Sequence, residues 1–191
     1  MINKSDFFNP PNIVSMVRIC MAPVLLYVAF NQQAEIYMAL LIFTLFTDVL
    51  DGFLARKLNM ITDLGAHLDS WGDFIIYTTL AIAAWWLWPD IIKQEFIAVI
   101  AIIISFTVPV IIGLIKFHKI TSYHTWSVKL AVLVTVISYV IVFTDLMRWP
   151  LYVAAAFSCF AAIEEIAITI ILKHERADVR SIWHALKYKE N

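Results

Sequence analysis

Apolar residues gather into six runs along the chain, at about Ile13 to Phe30, Glu35 to Leu54, Gly65 to Trp88, Phe96 to Ile115, Trp126 to Phe143 and Leu151 to Leu172. Each approaches the roughly 20 helical residues that cross a hydrocarbon core of about 30 Å. The breaks hold polar or helix-stopping residues: Asn31-Gln32-Gln33, Lys57 to Asp63, Pro89-Asp90, Lys116 to Thr125 and Asp145 to Pro150. The pattern predicts an all-α polytopic membrane protein: six transmembrane helices in a single membrane domain over residues 1–191, preceded by an N-terminal juxtamembrane segment. Pro10, Pro11 and Asn12 precede the first run and no small-x-small cleavage site follows it, so it reads as a retained anchor rather than a signal peptide. From Lys173 onward the chain becomes charged. Val179, Ile182, Trp183 and Leu186 recur there at helical spacing, which predicts an amphipathic tail along the membrane surface.

Composition removes the soluble alternatives. Hydrophobic residues make up 62% of the 191 and charged residues 15%, against about 45–50% and about 25% in soluble domains. A soluble domain of this size buries only about 70% of its unfolded surface, so the excess would face water. Six spans leave no room for a separate soluble catalytic domain. With a net charge of −1, the chain predicts no nucleic-acid partner. An even number of spans puts both termini on one side, with Lys4, Arg18, Arg56, Lys57, Lys116, Lys119, Lys129, Lys173, Arg176, Arg180, Lys187 and Lys189. Lys93 and Arg148 fall opposite. That bias predicts a cell (inner) membrane protein with its termini cytoplasmic. Trp85, Trp86, Trp88 and Trp149 then mark the outer interface and Trp126 and Trp183 the inner one. Cys20 and Cys159 lie in apolar stretches and are expected to be small buried hydrophobes.

Against this background four carboxylates stand out. Asp48, Asp51, Asp69 and Asp73 fall at or inside the cytoplasmic ends of the second and third runs, where an acid is costly and marks function. Spacings of three and four put each pair on one helical face, and the short Lys57 to Leu64 link brings the two helices together. Four like charges in a low-dielectric site require protonation or a cation. Hard oxygen donors select Mg2+, Mn2+ or Ca2+ over zinc, and a pair of such ions suits phosphoryl-group displacement. Gly52 and Gly65 would let a ligand approach the backbone, Ala55 keeps the same face open, and Arg56 offers a fork for phosphate oxygens. Helix capping alone would need neither this spacing nor the two glycines.

The segment Asp48-x-x-Asp51-Gly52-x-x-Ala55-Arg56, then eight residues, then Gly65-x-x-x-Asp69-x-x-x-Asp73 resembles the signature of the CDP-alcohol phosphotransferases at all eight specified positions. Pro11-Asn12-x-x-Ser15-x-x-Arg18 is similar to the family's usual entry to its first span. The resemblance implies two divalent ions, Mg2+ or Mn2+, held by Asp48, Asp51, Asp69 and Asp73, with Asp73 also the general base. It implies that Gly52, Ala55, Arg56 and Gly65 line the CDP pocket. The reaction implied is attack by an alcohol hydroxyl on the lipid-linked phosphorus of CDP-diacylglycerol, expelling CMP, by a homodimer.

Lys116, His118, Lys119, His124, Thr125 and Lys129 cluster between the fourth and fifth runs. Of these, Lys119, His124, Thr125 and Lys129 are the candidate acceptor-binding residues, favouring a phosphorylated polyol of the glycerol 3-phosphate or inositol phosphate type. Two other readings stay open. Transfer of phosphocholine or phosphoethanolamine from its CDP derivative to diacylglycerol would put a cationic donor against these lysines. A divalent-cation channel or transporter would spread its acids through the membrane depth. Glu164 and Glu165, deep in the sixth run, point about 100° apart, so one is expected to face the bundle. An acceptor-pocket role and a structural role are both open for them. Arg18 either snorkels to the interface or contacts phosphate.

Overall fold

The computed structural model describes residues 10–57, 63–118, 123, 125–172 and 179–189, and side chains among these except at 10, 11, 14, 48–57, 63–70, 188 and 189. The described chain is helical: α1 (Pro10–Phe30), α2 (Ala34–Lys57), α3 (Asp63–Leu87), α4 (Pro89–Gln94), α5 (Phe96–Phe117), α6 (Trp126–Phe143), α7 (Pro150–Ile171) and α8 (Ile182–Lys189). Six long helices coincide with the six apolar runs. Among the described residues α5, α6 and α7 are long and apolar enough to cross a membrane, and Ser15–Phe30 and Ala34–Thr47 form shorter apolar helices. The protein is thus an all-α polytopic membrane protein.

One boundary differs from the sequence reading. Pro89-Asp90 starts a short helix, α4, instead of a plain break. Proline is at home in a first helical turn, and Asp90 complements the dipole there, so the pair that ends α3 also begins α4.

The chain divides into two compact units, Met1–Pro89 and Asp90–Asn191. In the first, α1 packs against both α2 and α3. Among its buried residues, Asn12, Ser15, Arg18, Ala22, Leu25 and Ala29 make one face at helical spacing. The N-terminal turns of that face are polar and the C-terminal ones apolar. Tyr37, Leu41 and Thr44 supply the buried face of α2, and Gly72, Ile76, Thr79 and Ala83 that of α3. The α1–α2 turn is fixed by Gln32 in the left-handed region (φ 58°), whose side-chain Nε2 donates to the Trp86 carbonyl at 3.0 Å.

In the second unit α7 packs against α5, α6 and α8. The buried faces are rich in small residues: Ala98, Ser105, Pro109 and Gly113 on α5, Ala131 and Ser138 on α6, beside the larger Val142 and Phe143, and Ala154, Ala155, Ser158, Ala161 and Ala162 on α7, beside Leu151 and Ile168. Lipid gives apolar side chains little reason to leave it, so helices in a bilayer associate through such close-packing seams. Hydroxyls add to them, with Thr135 and Ser158 Oγ atoms 3.2 Å apart and Ser138 donating to the Pro150 carbonyl at 2.9 Å. Bulky Ile97, Ile115, Phe160, Ile163 and Ile170 face outward. Cys20 and Cys159 are free thiols and are exposed on their helices, correcting the expectation of buried cysteines. In a bilayer the outer face of a helix is the apolar one, so an apolar setting does not imply burial in protein.

The predicted tail helix is shorter than its pattern. The helix begins at Ile182, and Val179 precedes it, fully buried. Residues 173–178 lie outside the described ones. Val179 and Ala185 pack with Tyr123, Ile168 and Leu172, while Trp183 stays 73% exposed.

Candidate active site

The backbone carries Asp48 and Asp51 within α2 and Asp69 and Asp73 within α3. Each pair therefore lies along one helical face, three and four residues apart. The side chains of Asp48, Asp51, Gly52, Ala55, Arg56, Gly65 and Asp69 lie outside the described residues, and among the described ones no group of three metal-binding side chains occurs.

Asp73 is described, and it has a specific neighbour. Arg18 Nη1 lies 3.8 Å from Asp73 Oδ1, with the arginine side chain 2% exposed and the aspartate 31%. Arg18 does not snorkel; it is buried against α3. The reason is local. A Cβ added to Gly72 would meet Arg18 Nη2 at 2.9 Å, Nε at 3.0 Å and Cζ at 3.3 Å, so the guanidinium lies against the bare backbone just before Asp73. Sequence reading singled out Gly52 and Gly65 and missed Gly72; the available signal was a glycine beside a motif aspartate in an apolar helix. Asn12 and Ser15 occupy the preceding turns of the same α1 face, both buried. The polar half of α1 thus faces the region of α3 that bears the last motif aspartate.

Immediately beyond this pair lies an apolar groove between α1 and α3, about 600 Å3 in volume, lined by Ile19, Cys20, Pro23, Phe74, Thr78 and Ile82 among others. Its ends are set by the residues following Arg18 and Asp73. Pro23 lacks an N–H, which frees the Ile19 carbonyl on this side of α1.

In the second unit, Lys119 and His124 lie outside the described residues. Thr125 is buried and is the N-cap of α6, its hydroxyl accepting from the Val128 N–H at 3.2 Å. Lys129 is exposed, with Nζ 5.4 Å from the centre of the Trp126 ring. Lys116 caps α7 from outside, donating to the Thr169 and Ile170 carbonyls at 2.9 and 3.0 Å. These carbonyls belong to the last turn, which has no partner within its own helix. Glu164 has a structural set of partners, the Ser127 hydroxyl and the Ile182 N–H. Glu165 is half-buried, and its backbone carbonyl accepts from the Thr169 hydroxyl at 2.9 Å. Glu164 thus faces protein; a lone carboxylate in a span has no tolerable alternative to a donor.

The CDP-alcohol phosphatidyltransferase family profile matches residues 8–172. Over 65 residues the chain is 38% identical to a CDP-diacylglycerol--glycerol-3-phosphate 3-phosphatidyltransferase of Aquifex aeolicus, covering 34% of this chain and 36% of that protein. It is 36% identical over 83 residues to a rat cardiolipin synthase (CMP-forming), covering 41% and 28%. A chloroplastic CDP-diacylglycerol--glycerol-3-phosphate 3-phosphatidyltransferase 1 of rice is 35% identical over 80 residues, covering 42% and 24%. These matches thus span about a third or less of each relative's length. No solved structure matches the chain. With the motif, the helices that carry it and a profile running over both units, the chain belongs to the CDP-alcohol phosphatidyltransferase family.

Proposed function

We propose that the protein transfers the phosphatidyl group of CDP-diacylglycerol to the hydroxyl of a polyol phosphate, of the glycerol 3-phosphate or inositol phosphate type, and releases CMP. The observation that carries this reading is the buried Arg18 laid on Gly72 beside Asp73. It orients a motif carboxylate at the head of an apolar groove. Asp73 takes the hydroxyl proton, the alcohol oxygen bonds to the lipid-linked phosphorus, and the bond from that phosphorus to the CMP oxygen breaks. The printed names of the Aquifex and rice relatives support a glycerol 3-phosphate acceptor class.

Asp48, Asp51, Asp69 and Asp73 would hold two divalent cations, Mg2+ or Mn2+, and an all-carboxylate donor set suits such hard ions. When bound, the ions would offset pyrophosphate charge. Gly52, Ala55, Arg56 and Gly65 would take the CDP moiety. The groove between α1 and α3 would keep an acyl chain in an apolar setting while the diphosphate meets the aspartates. Lys129, with Lys119, His124 and Thr125, would meet the acceptor phosphate. The profile's run over both units supports a single domain. The bias of Lys and Arg supports both termini and the active site in the cytoplasm at the inner membrane, and the family resemblance supports a homodimer.

The test offers the purified protein CDP-diacylglycerol and Mg2+ or Mn2+ with a panel of alcohols and measures CMP release. Release with a polyol phosphate, lost in Asp73→Asn, is the expected result. No release with any acceptor would overturn the reading, and turnover of CDP-choline with diacylglycerol would replace it.

A further inference from the structure

Glu164 is a carboxylate in a membrane-spanning helix that the proposed chemistry does not use. Both of its oxygens are engaged at one end of the second unit. Oε2 accepts from the Ser127 hydroxyl in the first turn of α6, and Oε1 accepts from the Ile182 N–H, the first residue of α8, at 3.1 Å. Ser127 Oγ in turn lies 2.9 Å from Thr125 Oγ1, the α6 cap. A second strand of contacts runs beside the first: the Trp126 N–H donates to the Arg180 carbonyl at 3.3 Å. The Trp126 ring then lies under Lys129 Nζ. Val179 and Ala185, both with no exposed surface, hold α8 and its lead-in on Tyr123, Ile168 and Leu172.

We infer that Glu164 is a positioning residue for acceptor binding: with α8 it fixes the first turn of α6, and so Thr125 and Lys129, setting acceptor affinity while leaving the chemical step alone. The inference rests on the proposed reading of Lys129 as an acceptor contact. A span carboxylate is costly and needs donors; here the donors are two helix starts, α6 and α8, whose backbone dipoles favour a negative charge. Without the carboxylate, Ser127 and the Ile182 N–H lose a common partner, and the Trp126 platform beneath Lys129 loses its fixed relation to α8.

The test is steady-state CMP release in lipid vesicles, varying acceptor at saturating CDP-diacylglycerol and then the reverse. Glu164→Gln is expected to raise the acceptor KM about tenfold, as for loss of one hydrogen bond to a charged group. Its kcat and its KM for CDP-diacylglycerol are expected to stay within about twofold of wild type. Ser127→Ala should move the same parameter less, and it carries the test if Glu164→Gln does not fold. In the double variant with Lys129→Ala, the Glu164→Gln effect should shrink, because Lys129 is one of the groups being positioned. An unchanged acceptor KM, additive effects with Lys129→Ala, or a parallel fall in kcat with both substrates affected would overturn the inference in an active enzyme. Absence of CMP release from the wild-type protein would overturn the proposed reaction and the inference with it, a result distinct from the others.

Discussion

Gly72 and Asp73 act through one neighbour. Because a Cβ at Gly72 would meet Arg18 Nη2 at 2.9 Å and Nε at 3.0 Å, Gly72→Ala forces the guanidinium to shift, and overpacking of this kind costs about 1–3 kcal/mol. A lowered thermal midpoint together with lost CMP release is the expected outcome, and thermal unfolding in detergent measures the first. Asp73→Asn should lower kcat by about 10²–10⁴, the usual contribution of a general base; turnover at saturating substrates checks it. Little of this pairing was legible in the sequence. Whether Arg18 snorkels or turns inward depends on which helix faces it, and helical spacing alone leaves the partner open. The four aspartates were legible because their spacing is a property of a single helix.

The elements were read with greater fidelity, since twenty apolar residues between polar breaks leave one architecture for a helix in lipid. The exceptions are short. α4 is a short piece started by its own Pro89-Asp90 pair, and the late start of α8 is set by tertiary contact: Val179 leaves the helical pattern because it is buried in the cluster with Tyr123, Ile168 and Leu172. That cluster yields a prediction. Ile168 has no exposed surface, so Ile168→Ala should cost about 2–5 kcal/mol of local packing. α8 should detach before the rest, and limited trypsin digestion should cut after Arg180 and Lys187 faster than in wild type. Lys116→Ala exposes a second dependence, because the Thr169 and Ile170 carbonyls lose their donor. A loss of about 0.3–1 kcal/mol is expected, visible as a small shift in the same digestion.

Across the whole molecule the surface is inverted relative to a soluble protein: small residues make the seams of the second unit, and large apolar ones cover its outside. The two thiols report on that inversion, being free and exposed. A charged, membrane-impermeant maleimide should label neither Cys20 nor Cys159 in intact vesicles, because lipid disfavours the reactive thiolate, and should label both once the protein is unfolded in detergent, which mass spectrometry of the intact chain checks. Since one rod, α1, carries both the polar turns at Asn12, Ser15 and Arg18 and the apolar seam at Ala22, Leu25 and Ala29, the two are locked in phase. One residue inserted after Cys20 would turn either half by about 100° against the other. The helix would then have to choose between seating its charge and seating itself, which makes its residue count as fixed as its composition.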